Sequence, residues 1–348
     1  WHADLPNQPD IEKILILKWS AMGDIVIATA AMSDISRAFP NASIHLNTTS
    51  PWHRLFEHDD RYDRVDLMDL DGKDKGVRGL LRFAKMVKRE AYDVVFDFQS
   101  NDHSRLALGL SAILHAKPRY RAGCHRLRPY NIAGPSMPHP AHAGGVARSM
   151  LEAAGVPVAA SRPQLAVPEV VRAGVTVRLR QLGLDQLSYA VFLPGCQAAG
   201  YLKRWGALRY AELAKRLLLE GKIERIVILG GADETEECEA IAAQHPDRIV
   251  NLCGKTELLE LLPICEHANF IVANDTGTAH LASATGRPMC VICGPTDPRR
   301  VKPLGVNVTT CQADLACINC YRKDCSHHSC MAMVSPAEVA RKLLGPGC

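Results

Sequence analysis

The sequence lacks any apolar run near the eighteen or so residues that a membrane span requires, and its N-terminus carries no signal-peptide pattern. A spanning or secreted form is therefore not expected. It lacks a strong charge of one sign: 41 Lys and Arg stand against 37 Asp and Glu, an excess of four that does not by itself argue for a nucleic-acid partner. No sequence repeat links its two halves and no low-complexity tract interrupts them, which sets aside an array or a disordered linker. No Gly-x-Gly-x-x-Gly follows the first strand of either half, which disfavours an NAD dehydrogenase.

What is there is globular: 348 residues, 47% hydrophobic and 22% charged, too long for one ordinary core. Trp1 stands first in place of Met, so a processed or artificial start is expected, and residues 1 to 10 are set aside from the fold reading. Ile14-Leu15-Ile16-Leu17, Ile44-His45-Leu46, Val65-Asp66-Leu67 and Asp93-Val94-Val95-Phe96-Asp97 read as strands. Helices are expected from about Ile25 to Phe39 and near 76–90. Pro157, Pro163 and Pro168 mark a helix-poor linker, after which the alternation restarts. Tyr189 to Leu193, Arg225 to Leu229, Asn269 to Ala273 and Pro288 to Ile292 are the second set of strands, the last closing the series. A helix runs from Trp205 to Leu219. Strands this apolar, alternating with helices, predict an α/β fold of two doubly wound parallel-sheet domains, residues 11–165 and 166–348.

In such sheets ligands sit beyond the carboxyl ends of strands. After one strand comes Asn274-Asp275-Thr276-Gly277, and Ala279-His280-Leu281-Ala282 then reads as a first helical turn. Unpaired N–H groups and the positive dipole end there suit a phosphate; an ordinary capped helix start is the alternative. The loop Lys18-Trp19-Ser20-Ala21-Met22-Gly23-Asp24 follows the first strand, with Asp24 capping the next helix. Pro194 to Trp205 ends in Lys203-Arg204-Trp205 at a helix start, where cations oppose the dipole and invite a bound anion. Gly294-Pro295-Thr296-Asp297-Pro298-Arg299-Arg300 is a rigid turn with a basic tail, another anion contact or merely solvated. Two basic runs lie in the first half: Lys73, Lys75, Arg78, Arg82, Lys85, Lys88 and Arg89, then Lys117, Arg119, Arg121, Arg126 and Arg128. They are solvated faces or a site for an anionic partner.

Taken in order, Lys18 to Asp24, Lys203-Arg204-Trp205, Asp275-Thr276-Gly277-Thr278-Ala279-His280 and Gly294-Pro295-Thr296-Asp297-Pro298 resemble the motif set of glycosyltransferase family 9, the ADP-heptose:lipopolysaccharide heptosyltransferases. The likeness runs from about residue 12 to the C-terminus. It implies a GT-B architecture, two Rossmann-like domains facing across a cleft, with the acceptor on the N-terminal domain and the nucleotide sugar on the C-terminal one. It implies inverting, metal-independent transfer of heptose from ADP-heptose to a lipopolysaccharide inner-core acceptor, with no cofactor required. By the same resemblance Asp24 is the general base and Lys203 the diphosphate-binding catalytic lysine. Ser20, Gly23, Glu234, Asp275, Thr276, Gly277 and His280 complete the nucleotide-sugar site, with Glu236 the rival of Glu234. Arg121 and Arg126 are expected to meet the anionic, lipid-linked saccharide acceptor, and the basic runs to hold a cytoplasmic enzyme peripherally at the inner membrane surface, with no nucleic-acid partner.

The chain departs from the family at Ala21, where many relatives carry a second hydroxyl, and in Gly195 to Leu202, which is poor in small hydroxyl residues. Thirteen cysteines are present, six of them in the last 38 residues. Cys317, Cys320, Cys325 and Cys330, with His327 and His328, have metal-ligand spacing; a structural zinc, disulfides or free thiols are the options, and a structural role is expected. A GT-B transferase or epimerase using another nucleotide sugar, and a nucleotide-binding scaffold with a metal tail, are the alternative functions.

Overall fold

Strands that are apolar along their whole length must be covered on both faces, and both halves of the chain do this with parallel sheets between helices. The computed structural model describes residues 1–114, 118–196 and 198–345, and divides into Trp1–Ala166 and Val167–Cys348. Lys117 of the second basic run and Gln197 of the loop after Leu193 lie outside the described residues.

The first unit carries β1 (Lys13–Leu17), α1 (Met22–Ala38), β2 (Ser43–Thr49), β3 (Arg64–Met68), α2 (Gly76–Glu90), β4 (Val94–Asp97), α3 (Asp102–Ile113), β5 (Tyr120–Gly123) and α4 (Ala143–Ala153). Its strands are all parallel, in the order β3-β2-β1-β4-β5, so the winding reverses between β1 and β4. Leu15, Leu17 and Val95 pack with Phe83 and Val87 of α2 and Ala107 and Leu108 of α3 in one buried cluster. Two expectations are corrected here. Helix α1 starts at Met22 with Ala21 in the capping position and no side-chain cap, so Asp24 is exposed in the first turn instead of capping it. A carboxylate there still complements the helix dipole. The segment set aside at the N-terminus belongs to the unit: Leu5 is fully buried, and the N–H groups of Ala3 and Leu5 donate to Ala153 and Ala154 at the end of α4 (2.8 and 3.0 Å).

The second unit carries α5 (Glu169–Gln181), β6 (Tyr189–Leu193), α6 (Ala207–Leu219), β7 (Arg225–Ile228), α7 (Thr235–Ala242), β8 (Ile249–Asn251), α8 (Leu261–His267), β9 (Phe270–Asn274), α9 (Gly277–Ser283), β10 (Met289–Ile292), α10 (Pro298–Val301), β11 (Val308–Cys311), α11 (Ser329–Ala332) and α12 (Pro336–Leu344). Its parallel order is β11-β10-β9-β6-β7-β8, reversing between β6 and β9. The series does not close with β10: β11 adds an edge strand, half-exposed and therefore without the apolar run that marks the others. Lys203 to Trp205 do not begin a helix either. Lys203 ends a short 3-10 turn (Ala198–Lys203), and α6 starts only after Gly206, whose φ of 98° favours glycine. No helix among the described residues is long and apolar enough to cross a membrane.

Candidate active site

Where a parallel sheet reverses its winding, the loops leaving the two central strands diverge and open a crevice at their carboxyl ends. In the first unit those loops follow β1 and β4. The β1 loop is fastened from both sides. Trp19 Nε1 donates to Asn47 Oδ1 (2.7 Å), Thr49 Oγ1 donates to the Trp19 carbonyl, and Gln99 Oε1 accepts from the N–H groups of Trp19 and Ser20 (3.2 Å each). Gln99 Nε2 also donates to Ser20 Oγ at 3.2 Å. The fastened loop presents Ser20 to solvent, and the first turn of α1 that follows it presents Asp24, with Gly23 half-buried between them.

Beneath that loop lies a buried polar cluster. Lys18 is 7% exposed and its Nζ donates to the Phe98 carbonyl (3.3 Å). Burial pushes its pKa below the ordinary lysine value, against the pull of Asp24, Cys124 and Asp97. Asp97, wholly buried at the end of β4, accepts from Tyr130 Oη (2.6 Å), Ser100 N (2.8 Å) and Gln99 N (2.9 Å). Burial raises its pKa despite those bonds, and burial likewise pushes the Cys124 thiol up to about 11. Sequence reasoning missed Gln99, Asp97 and Tyr130 as parts of this site. A carboxylate closing an otherwise apolar strand was the available signal for Asp97.

In the second unit the corresponding loops follow β6 and β9. Asn274, fully buried at the end of β9, ties them: its amide donates to the Pro194 carbonyl, and its Oδ1 accepts from Tyr210 Oη (3.1 Å). Asp275 comes next and is 3% exposed. One of its oxygens, Oδ2, meets both Lys203 Nζ (2.8 Å) and the Thr296 hydroxyl (2.8 Å), so three of the motifs read from the sequence converge on one atom. Burial alone would lower the Lys203 pKa, but the charge of Asp275 and its hydrogen bond outweigh that and hold it above the ordinary lysine value. Thr276 caps α9 in extended conformation, its hydroxyl 2.9 Å from that of Thr278; Gly277 opens the helix and His280 is buried within it. The N–H groups of that first turn have no intrahelical acceptor and point at the same strand end.

Glu234 accepts from Gly231 N (2.8 Å) and lies against the ends of β6 and β7. A methyl group placed on Gly195 would sit 1.8 Å from its carboxyl carbon, and one on Gly230 would sit 2.6 Å from Oε2. Glycine at both positions is what admits the side chain. Burial raises its pKa, the Gly231 bond opposing. Glu236 is exposed in the first turn of α7. The acid that sequence reasoning missed is Glu237, nearly buried and 3.6 Å from Arg204, its pKa raised by burial. In the Gly294–Arg300 turn the basic tail is engaged internally: Arg299 pairs with Asp297 (2.7 Å) and Arg300 stacks over Tyr321.

The two arginines assigned to the acceptor are not brought together by β5. Arg121 is its second residue, half-buried, with its pKa lowered by burial, whereas Arg126 lies exposed in the loop beyond and donates to the Gly134 carbonyl (3.1 Å). Cys317, Cys320, Cys325 and Cys330 line one cavity of about 240 Å³ with His327 and His328. Among the described residues no group of three or more His, Cys, Asp or Glu is arranged to hold a metal ion. His328 Nε2 is bonded to the Leu202 carbonyl (2.6 Å) and His327 Nδ1 to Ser329 Oγ (2.9 Å), while Cys330 is buried beside Gly294.

Comparison with known proteins bears on these two strand-end sites. The family model of glycosyltransferase family 9 (heptosyltransferase) matches residues 80–331. Lipooligosaccharide heptosyltransferase 2 of Haemophilus influenzae is 30% identical over 159 residues, 44% of this chain; the chain covers 45% of that relative's length, less than half. A family 9 glycosyl transferase from Veillonella parvula superposes with a TM-score of 0.76 at 21% identity, over 89% of this chain and 87% of that one. The E. coli ADP-heptose lipopolysaccharide heptosyltransferase II structure gives 0.71 at 21% identity, over 95% and 97%. These structural likenesses establish the fold, two parallel-sheet α/β domains of the GT-B class.

Proposed function

Because the chain belongs to glycosyltransferase family 9, we propose that it is a heptosyltransferase that moves heptose from ADP-heptose to an anionic, lipid-linked acceptor of the lipopolysaccharide inner core. The observation that carries this reading is the Lys203–Asp275 pair at the winding reversal of the second unit, beside the start of α9. A lysine kept protonated by a buried carboxylate, next to unsatisfied N–H groups, is built to hold a diphosphate. Asp275 serves by positioning Lys203; Thr276, Gly277 and His280 face the same phosphates, and Glu234 meets the nucleoside.

The reaction proposed is a single inverting displacement without a metal ion. The acceptor oxygen attacks the anomeric carbon of heptose as Asp24 takes the hydroxyl proton, a new C–O bond forms, and the bond from that carbon to the β-phosphate oxygen breaks. ADP departs with its added negative charge set against Lys203 and the α9 dipole. Support for Asp24 as base comes from its exposure in the first turn of α1, directly after a loop fastened by Asn47, Thr49 and Gln99. A base must be reachable by solvent-borne substrate and still be held in place. Ser20 and Gly23 line the donor side of that loop, and Arg126 and Arg121 bind the acceptor's anionic groups. The setting proposed is the cytoplasmic face of the inner membrane. The Cys-rich tail is assigned a structural role, with Cys330 and Met331 packed against Gly294.

Calorimetric titration with ADP, UDP, GDP and NAD tests the donor. Selective binding of ADP that Lys203→Ala weakens by roughly tenfold to a hundredfold is the expected result. Preference for UDP or GDP would keep the reaction class and change the donor, and binding of none would overturn the reading.

A further inference from the structure

The face of the first unit formed by α2 and α3 is not used by the strand-end site, and its composition is unusual for solvent. From Leu106 to Ile113, α3 has no charged residue, yet Leu106 is 62% and Ile113 72% exposed. They border a groove of about 700 Å³, within the range of roughly 300–1,000 Å³ found for ligand cavities, with Leu80, Leu110 and Pro129 along its walls. Gly109 lies in it, and a methyl group there would meet nothing within 4 Å, so the space is open down to the helix backbone. At the rim stand Arg128 and Arg105, the latter paired with the exposed Asp102 (2.8 Å).

Beside the groove, α2 exposes Val77 (70%) and Leu81 (39%) between cations. It has no acidic residue before Glu90. Arg82 pairs with Asp74 and Arg89 with Glu90, but among the described residues no acid pairs with Arg78, Lys85 or Lys88. Exposed apolar side chains interleaved with unpaired cations fit neither a plain solvated face nor a core.

We propose that this groove takes an acyl chain of an anionic lipid at a bilayer surface, with the lipid headgroup held by Arg105, Arg128 and the cations of α2. The apolar wall disfavours an extended peptide as its occupant. Such a segment would leave its own N–H and C=O groups facing leucine and isoleucine, at a cost of about 1–3 kcal/mol each. An alkyl chain has no such groups, and each cation near an anionic surface adds attraction. The inference goes beyond the transfer reading and stands without it, since the binding is to be read in the absence of donor and acceptor.

The test is flotation of the full chain with vesicles of phosphatidylethanolamine and phosphatidylglycerol, and with phosphatidylcholine vesicles alone. Wild type is expected to float with the anionic vesicles and to be released by salt. Gly109→Leu, which fills the groove in a residue type favoured by helices, should lower the bound fraction by about tenfold, and Ile113→Asp should do the same. Replacing Arg78, Lys85 and Lys88 together by Gln should weaken binding by roughly a hundredfold. ADP affinity and melting temperature serve as folding controls and should not move. Flotation unaffected by Gly109→Leu and Ile113→Asp would overturn the proposal. So would conversion of a wild-type dimer to monomer by the same substitutions in sedimentation velocity, which would assign the groove to a second copy of this chain.

Discussion

At the winding reversal of the first sheet the exposed group is a carboxylate, Asp24, and the amine within its electrostatic reach, Lys18, is buried. At that of the second sheet the partly exposed group is an amine, Lys203, and the carboxylate bonded to it, Asp275, is buried. The two pairs also differ in how firmly charge is held. Burial wins at Lys18 and lowers its pKa; the direct 2.8 Å contact with Asp275 wins at Lys203 and raises it. One topology therefore carries an exposed carboxylate over a buried amine in one unit and a firmly protonated amine over a buried carboxylate in the other. The fold supplies the address, and the side chains at the strand ends distinguish the two sites.

The comparison breaks most visibly at Asp24. Asp24→Asn should reduce turnover by on the order of a hundredfold or more, the loss expected of a missing general base, while ADP affinity stays within about threefold of wild type. Transfer measured by mass spectrometry, with calorimetry for ADP, checks both halves. If ADP affinity fell as far as it does in Lys203→Ala, the division of labour between the units would collapse.

Next in size is the Lys203–Asp275 pair. Lys203→Ala should weaken ADP binding by roughly tenfold to a hundredfold, as loss of a charge-assisted bond does. Asp275→Asn should cost less, because Thr296 keeps an acceptor, and the double variant should fall short of additivity by about 1–2 kcal/mol. Their pH dependence separates them further. If the protonated amine holds ADP as proposed, affinity should persist into the alkaline range, since Asp275 holds the Lys203 pKa above the ordinary lysine value. In Asp275→Asn the largest influences that raise the Lys203 pKa are removed while burial still lowers it, so affinity should begin to fall at lower pH. Superimposable profiles would show that Asp275 does not set the charge of Lys203. A smaller effect is expected from Gln99→Ala, which frees the Trp19–Ser20 backbone: turnover lower by about tenfold with ADP affinity unchanged.

What the sequence made legible follows the same physics. Strands covered on both faces are apolar throughout, so β1, β4, β6, β7 and β9 stand out, and the alternation with helices then directs attention to the loops after them. Edge strand β11, exposed on one side, left no such run. Local signals misled at two helix starts: Asp24 resembles a cap but sits inside the first turn, and Lys203 is parted from α6 by Gly206. The convergence of Lys203 and Thr296 on one oxygen of Asp275 depends on β6, β9 and β10 lying side by side. No spacing along the chain encodes that. Gln99 was likewise invisible, since its partners come from the loop after β1, whereas Asp97 was marked only by closing an apolar strand and its bond to Tyr130 was not legible.

Glu234 offers the smallest effect and the sharpest sign. Burial between Gly195 and Gly230 raises its pKa above the ordinary 4.5, so the folded unit binds this proton more tightly than the unfolded chain does. A carboxyl shifted upward favours the fold below its unfolded pKa and loses that advantage as pH rises through the folded value. At pH 7, above the unfolded value, this upward shift is therefore a cost to stability, which the proposed contact with the nucleoside would explain. Glu234→Gln keeps an oxygen to accept the Gly231 N–H and removes the buried charge. The variant should melt at a higher temperature than wild type at pH 7, and the gap should narrow as pH falls toward 4.5. ADP affinity should drop by a few-fold at about the level of one neutralised hydrogen bond. Neither unit's larger effects should follow this pattern, because Asp24 is exposed and Asp275 is already balanced by Lys203. A lower melting temperature for Glu234→Gln at pH 7 would mean that the carboxylate braces the loops after β6 and β7, and would remove the reason to reserve it for the nucleoside.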